Sequence, residues 1–216
     1  CDVSSQKEIL DLLELIHDDI SGIKIGLQYI TQRSPEEIRE LSKFKKPIFY
    51  DGKFFDIKNT LVESVKSLKN LNVNYATVHL LNGLDALKAA NQTAQEINLN
   101  LLGVSVLTSF SDEDLKSLGF NSKVEEQVLK LIKIAIKSNL YGVICSPLEI
   151  KMIKKIAPKL KCFTPGIRVG NIKDDQKRTM NANEAIKEGS DCLIIGRPIT
   201  KGNPKENIKN ILSSID

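Results

Sequence analysis

The feature that most constrains this chain is a strict alternation of short β-rich runs with amphipathic helical stretches along all 216 residues. The predicted strands cover residues 1–3, 22–25, 47–50, 75–79, 101–107, 141–145, 160–164 and 192–195. The principal predicted helices cover residues 7–16, 35–41, 59–68, 83–96, 124–138, 147–156, 183–188 and 205–215, with a short extra helix over 111–118. Such alternation indicates a parallel sheet covered by helices, built from βα units of roughly 25–30 residues.

The number of these units fits an α/β fold of the (β/α)8 TIM barrel type, with residues 1–216 as a single domain. No linker or break in composition divides the chain. The first strand looks cut short, because the sequence opens at Cys1-Asp2-Val3 without Met. An open doubly wound sheet is the alternative, although the GxGxxG pattern of dinucleotide-binding sheets is absent after the first strand.

Composition narrows the class of protein. Hydrophobic residues make up 41% and charged residues 27%, which is typical of a globular domain. The net charge of +4 is spread along the chain and does not indicate a nucleic-acid partner, and no apolar run approaches the ~20 residues of a membrane span. The four cysteines form no CxxC pair, so we expect no metal site and interpret them as thiols in a reducing cytoplasm.

Charged residues gather where predicted strands end, which is where barrel enzymes place their active groups. Asp51 and Lys53 stand two positions apart at the end of the third predicted strand, so both should face the barrel axis. Asp56 follows in the loop, and Lys24 has the same inward phase on the second strand. Buried charges are rare unless they are paired. The pattern therefore predicts an alternating charged cluster, either catalytic or a salt-bridge network that closes the top of the barrel.

Two segments rich in Gly and Arg follow the seventh and eighth predicted strands. Residues 164–168 read Thr-Pro-Gly-Ile-Arg, and residues 195–200 read Ile-Gly-Arg-Pro-Ile-Thr. Glycine lets backbone amides approach phosphate oxygens, and Arg can bind them in a bidentate way. The long loop 165–180 between the segments is typical of an active-site lid. The pair predicts a phosphate site, although Gly-Arg-Pro alone would also fit a simple turn.

Taken in order, these segments resemble the orotidine 5′-monophosphate decarboxylase family over nearly the whole chain. The resemblance rests on residues 24–26, 51–60, 78–79, 107–109, 145–147, 164–168, 175–180 and 195–200. It implies decarboxylation of orotidine 5′-phosphate to uridine 5′-phosphate and CO2, the last step of de novo pyrimidine nucleotide synthesis. It also implies a cytoplasmic homodimer that needs no cofactor.

The resemblance further implies a role for individual residues. Lys24, Asp51, Lys53 and Asp56 would form the catalytic array, with Asp56 donated by the other subunit. Ile57 and Thr60 would accompany Asp56 across that interface. The implied substrate-binding residues are Asp2 with Lys24 at the ribose, Thr108 at the pyrimidine, and, in or beside the phosphate cradle, Pro165, Arg168, Gln176, Gly196 and Arg197.

Three positions depart from the family pattern. Phe55 stands where His is usual, Lys58 replaces Pro at the start of the next helix, and Asn82-Gly83 replaces a pair of glycines. Related barrels that decarboxylate or aldol-cleave sugar phosphates share the D-x-K-x-x-D run, whose acids can hold magnesium. They lack the Asp-Gln-Lys-Arg and Gly-Arg-Pro-Ile-Thr segments. They remain an alternative, as does a ligand-binding barrel without enzymatic activity.

Overall fold

The structure is a computed structural model that describes residues 5–168 and 179–215. The first predicted strand, with Asp2, lies outside the described residues. So does the greater part of the predicted loop 165–180, including Gln176.

The described residues form one parallel sheet in which each strand pairs with the strand before it in the chain. Its members are β1 (Ile23–Ile25), β2 (Ile48–Phe54), β3 (Tyr75–His79), β4 (Asn100–Val104), β5 (Gly142–Ile144), β6 (Lys161–Thr164) and β7 (Cys192–Leu193). A doubly wound sheet would reverse its strand order at a switch point. The sequential order instead belongs to a curled barrel sheet, so the barrel prediction is confirmed and the open-sheet alternative is wrong.

Helices follow the strands as the sequence predicts. They are α1 (Gln6–Ile16), α2 (Leu27–Ile30), α3 (Pro35–Glu40), α4 (Lys58–Ser67), α5 (Leu84–Glu96), α6 (Asp112–Ser117), α7 (Val124–Lys137), α8 (Ile150–Ile156), α9 (Ala182–Lys187), α10 (Arg197–Thr200) and α11 (Pro204–Ser213). The start of α3 shows the local cause: Ser34 caps the helix in a capping box with Glu37, and Pro35 takes the first helical position. Within the described residues, every helix is too short or too polar to cross a membrane.

The strand boundaries near the site differ from the prediction. The run predicted to end at residue 50 continues to Phe54, so Asp51 and Lys53 lie inside β2 and not beyond it. Pairing with β3 explains the extension, because it resumes at Phe54 after a change of register. In contrast, the runs predicted to reach residues 107 and 195 end as strands at Val104 and Leu193.

The barrel interior has an aromatic layer below its charged residues. Phe49 and Phe163 are buried there, with Tyr75 packed against them. The ring centroids of Phe49 and Phe163 are 6.1 Å apart, and those of Tyr75 and Phe163 are 5.4 Å apart. Because Asp51 follows Phe49 by two positions on β2, the charged cluster sits on this aromatic floor, towards the carboxyl ends of the strands.

Candidate active site

A carboxylate at the carboxyl-terminal edge of the sheet holds two ammonium groups. Asp51 is 8% exposed, and its Oδ2 accepts hydrogen bonds from Lys24 Nζ at 3.1 Å and from Lys53 Nζ at 2.9 Å. Lys24 reaches inward from β1 because Ile23 and Ile25 face the opposite way, into the outer core. Three of the four predicted charges are thus brought together within one chain.

The strand carrying Asp51 and Lys53 is bulged at this point. Tyr50 pairs with Ala76 and Phe54 with Val78, so β2 advances four residues where β3 advances two. Lys53 adopts a left-handed backbone, with φ of +47°, which is sparsely populated for a residue with a side chain. Such strained bulges occur beside active sites, where they re-aim a side chain. Here the bulge directs the ammonium of Lys53 back to Asp51.

Thr77 of β3 lies opposite this bulge and is fully buried. Its Oγ1 donates to Asp51 Oδ1 at 2.9 Å and accepts from the backbone N–H of Lys53 at 2.8 Å. Sequence reasoning missed Thr77. The available signal was a polar residue at an inward position of the strand, between Tyr75 and His79.

The electrostatics of the site keep Asp51 ionised. Burial raises the pKa of Asp51, but the ammonium groups of Lys24 and Lys53 outweigh burial and leave that pKa below its ordinary value. His79 stands nearby on β3, and burial together with the charge of Lys53 lowers the pKa of its imidazole. His79 Nδ1 accepts the N–H of Leu81 at 3.3 Å, which favours the neutral tautomer with the proton on Nε2.

The fourth predicted charge stands apart from the other three. Asp56 is exposed, and its carboxylate accepts the N–H of the adjacent Ile57 at 2.7 Å. Within residues 5–168 and 179–215, Asp56 forms no ion pair with Lys24 or Lys53. Ile57 is 73% exposed, and Thr60 on α4 is also exposed.

The residues predicted to bind phosphate follow β6 and β7. Gly166 has φ of +85°, and its carbonyl accepts the N–H of Met180 at 3.2 Å. The N–H of Arg168 donates to the Met180 carbonyl at 3.0 Å, so this pairing closes the base of the predicted loop. The remaining members are placed as follows: Pro165 and Arg168 are half-buried after β6, Gly196 caps the short helix α10, and Arg197 begins α10 and is exposed.

Thr108, which was predicted to lie at the pyrimidine, is half-buried in the turn that follows β4. Across the described parts of the chain, no group of three or more His, Cys, Asp or Glu side chains is arranged to hold a metal ion.

Comparison with known proteins identifies the family. Residues 1–211 match the family described as "Orotidine 5'-phosphate decarboxylase / HUMPS family". The chain belongs to this family. It is 39% identical to the orotidine 5′-phosphate decarboxylase of Wolbachia sp. subsp. Brugia malayi over 216 residues, which cover 99% of this chain and 96% of that protein. It is 37% identical to the orotidine 5′-phosphate decarboxylase of Legionella pneumophila strain Corby over 220 residues, with 99% and 96% covered.

A solved structure from the orotidine 5′-phosphate decarboxylase family agrees with the fold. The crystal structure of the Lactobacillus acidophilus orotidine 5′-phosphate decarboxylase superimposes with a TM-score of 0.86 and 30% identity, covering 100% of this chain and 96% of that one. The similarity extends over the entire sheet and its helices, so it supports the barrel architecture independently of the motifs.

Two of the three departures from the usual orotidine 5′-phosphate decarboxylase pattern, at Lys58 and at Asn82-Gly83, can be followed in the structure. Lys58 replaces Pro at the first position of α4, and Ile57 still has the extended backbone (φ −58°, ψ 152°) that precedes the helix. Lys58 Nζ forms an exposed ion pair with Asp85 Oδ2 at 2.8 Å. The helix therefore begins at Lys58 without a proline.

Asn82, which replaces a glycine of the family pattern, connects two parts of the site. Its Nδ2 donates to the carbonyls of Phe54 at 2.9 Å and His79 at 2.7 Å, and its Oδ1 accepts the N–H of Asp56 at 3.1 Å. The retained glycine, Gly83, has φ of +82°, the conformation that favours glycine. Asn82 thereby fixes the backbone that presents Asp56, a role that the sequence did not reveal.

Proposed function

We propose that this chain decarboxylates orotidine 5′-phosphate to uridine 5′-phosphate and CO2. The observation that carries the proposal is the ion-paired cluster of Lys24, Asp51 and Lys53 at the carboxyl-terminal edge of a parallel barrel sheet. The family membership and the activity named for its relatives support the same reaction. The direct test is a spectrophotometric assay that follows loss of orotidine 5′-phosphate, and absence of turnover by the folded protein would refute the proposal.

In the proposed mechanism, Lys53 acts on the carbon that loses CO2. The bond between C6 of the pyrimidine and its carboxylate breaks, the electron pair stays on C6, and CO2 leaves. The ammonium of Lys53 stabilises this charge and then donates a proton to C6, and solvent returns a proton to Lys53, whose side chain is 33% exposed. Asp51 holds the ammonium of Lys53 in place through the ion pair at 2.9 Å. Such a prearranged charge lowers the barrier electrostatically.

The steps balance without an external electron acceptor, so we propose that the enzyme uses no cofactor. The alternative in this group of barrels is a sugar-phosphate decarboxylase or aldolase, in which acids of the D-x-K-x-x-D run would hold magnesium. An assay before and after dialysis against EDTA separates the two. We expect kcat to be unchanged, whereas a loss that magnesium restores would favour the sugar-phosphate reaction.

We propose that the segments after β6 and β7 bind the substrate phosphate. A phosphate site at this position of a barrel, with a short extra helix, recurs in the fold. Apart from Gly196 itself and its two chain neighbours, no atom of residues 5–168 and 179–215 lies within 4 Å of where a Cβ of Gly196 would stand, which leaves room for a ligand. Arg197 and Arg168 would supply charge-assisted hydrogen bonds. The further predicted contacts are Gln176 at the phosphate, Pro165 in the cradle, Asp2 and Lys24 at the ribose, and Thr108 at the pyrimidine.

We also propose that the active enzyme is a homodimer in which Asp56 serves the partner's site. The exposed Asp56 stands between Phe55 and Ile57, which are 63% and 73% exposed, and Leu81, 42% exposed, precedes Asn82, which accepts the N–H of Asp56. Neighbouring exposed apolar side chains are typical of an interface. A two-fold interface places the same patch on both chains, so each site would receive a foreign carboxylate, with Ile57 and Thr60 beside it.

Subunit mixing tests this arrangement. Lys53→Ala and Asp56→Ala are each expected to be inactive. After exchange, a mixed dimer has one site with both defects and one site with neither, so about a quarter of all sites should recover. No recovery, with exchange confirmed by a tagged subunit, would show that Asp56 serves its own barrel.

The remaining proposals concern the cellular compartment, the partners and the domain organisation of the chain. Cys145, Cys162 and Cys192 are free thiols, which fits a reducing compartment, and we place the enzyme in the cytoplasm. We propose neither nucleic acid nor membrane as a partner. That residues 1–216 form one barrel domain also stays a prediction.

A further inference from the structure

We infer that Thr77 is a positioning residue for the reaction, one that holds Lys53 and Asp51 in their working arrangement through a single hydroxyl. This inference rests on the roles proposed above for those two residues. Its basis is the bulge of β2, where residues 51–53 face Thr77 between two in-register pairs of the β2–β3 ladder.

The bulge creates a backbone problem that Thr77 solves. The two extra residues in β2 break the regular pairing with β3 around Lys53, and the N–H of Lys53 donates to Thr77 Oγ1 at 2.8 Å. A buried N–H without an acceptor would destabilise the strand. The same contact fixes the backbone N–H of Lys53 in its left-handed conformation.

The second hydrogen bond of Thr77 fixes the carboxylate of Asp51. Thr77 Oγ1 donates its proton to Asp51 Oδ1 at 2.9 Å, while both ammonium groups bind Oδ2. The two oxygens of Asp51 are thus assigned to different partners, and the side chain cannot rotate without breaking one set. A hydroxyl can do this because it donates one hydrogen bond and accepts others.

Packing alone does not account for a threonine here. Ala76 and Val78 on either side belong to the outer core, and Thr77 is fully buried on the inward face. Valine would fill the same volume and would avoid burying a hydroxyl. What threonine adds over valine is the pair of hydrogen bonds, one to each proposed catalytic residue.

The test compares Thr77→Val with Thr77→Ser in the assay of orotidine 5′-phosphate turnover. Valine keeps the shape and removes the hydroxyl, whereas serine keeps the hydroxyl and removes a methyl group. We expect Thr77→Val to lower kcat by about 100-fold with little change in KM, since small misplacements of catalytic groups have effects of this size. Thr77→Ser should keep kcat within about threefold of wild type, because the serine hydroxyl can form both hydrogen bonds. This loss is far smaller than the one expected for Thr77→Val.

The matched control is Thr93→Val on α5, where the hydroxyl donates to the carbonyl of Ala89 at 3.2 Å within the helix. It removes the same atoms far from the site and should leave kcat unchanged. Melting temperatures and the affinity for uridine 5′-phosphate report whether each variant is folded with an intact binding site. Thr77→Ala repeats the test if Thr77→Val does not fold.

The outcomes separate cleanly. A wild-type kcat in folded Thr77→Val would overturn the inference, and so would a serine variant as slow as the valine variant. Loss of folding in both Thr77→Val and Thr77→Ala would assign Thr77 to stability alone and would also overturn it. A wild-type protein without decarboxylase activity would instead refute the proposed function.

Discussion

The two interior layers of the barrel come from the same strands yet differ in the chemistry of their side chains. Phe49 and Asp51 are neighbours on the inward face of β2, and Tyr75 and Thr77 are neighbours on β3. The lower layer is aromatic and packs ring against ring. The upper layer is charged and hydrogen-bonded.

The difference separates the layer that stabilises the fold from the layer proposed to carry out the reaction. Burying aromatic rings provides hydrophobic stabilisation and excludes water from the barrel axis. Burying Asp51 between two lysines provides little net stability, because the loss of hydration offsets much of the ion-pair attraction. We therefore expect substitutions in the lower layer to affect folding and substitutions in the upper layer to affect catalysis.

The largest expected effect is on catalysis, from Lys53→Ala. The change removes both the proton donor and the charge that stabilises C6, so kcat should fall by at least about 10⁴-fold. Asp51 keeps its contact with Lys24, so the fold should survive. Steady-state kinetics with purified enzyme measures this effect, and activity within tenfold of wild type would contradict the role of Lys53.

Lys53→Gly is the control for the backbone at this position. Glycine adopts positive φ without strain, so Lys53→Gly should be about 1 kcal/mol more stable to unfolding than Lys53→Ala, with both equally inactive. Denaturant titration measures the difference.

The next effect is on stability, in the aromatic floor. Phe163→Ala leaves a cavity beneath the charged layer and should lower the free energy of unfolding by about 4 kcal/mol, while Phe163→Leu should lower it far less. Well below the melting temperature, kcat of the alanine variant should stay near that of wild type. A loss of kcat in a fully folded Phe163→Ala would show that the two layers are not independent.

Arg197→Ala tests a group at the rim, outside both layers. It should weaken transition-state binding by about 3 kcal/mol, which is roughly a 100-fold loss in kcat/KM, as expected for loss of a charge-assisted contact. With orotidine, which lacks the phosphate, the same substitution should have almost no effect. Equal losses for both substrates would make Arg197 a structural residue.

The smallest expected effect is the pH dependence of stability that comes from Asp51. Its pKa in the folded protein lies below the ordinary value of about 3.9, so its contribution is complete above that pH and is lost as the pH falls through the folded pKa. Unfolding free energies of wild type should therefore decline more steeply below pH ~4 than those of Asp51→Asn. Parallel curves for the two proteins would contradict the ion-paired state of Asp51.

The sequence predicted the parts of this site that depend on periodicity. Alternation gave the barrel, and inward phase placed Lys24, Asp51 and Lys53 together. Periodicity could not predict the bulge, since an added pair of residues in β2 becomes visible only when β2 is paired with β3. For the same reason the contacts of Thr77 with Asp51 and Lys53, and those of Asn82 with Phe54 and Asp56, were not apparent, because they join residues 24 to 28 positions apart in the chain.

The pairing of each strand with its predecessor also determines the order in which the site can be assembled during synthesis. Lys24, Asp51, Lys53 and Thr77 all come from the first three described strands, which are complete by His79. The segments proposed to bind phosphate begin only after β6, which ends at Thr164. A nascent chain therefore contains every residue of the charged cluster while it still lacks the groups proposed to hold the phosphate of the substrate.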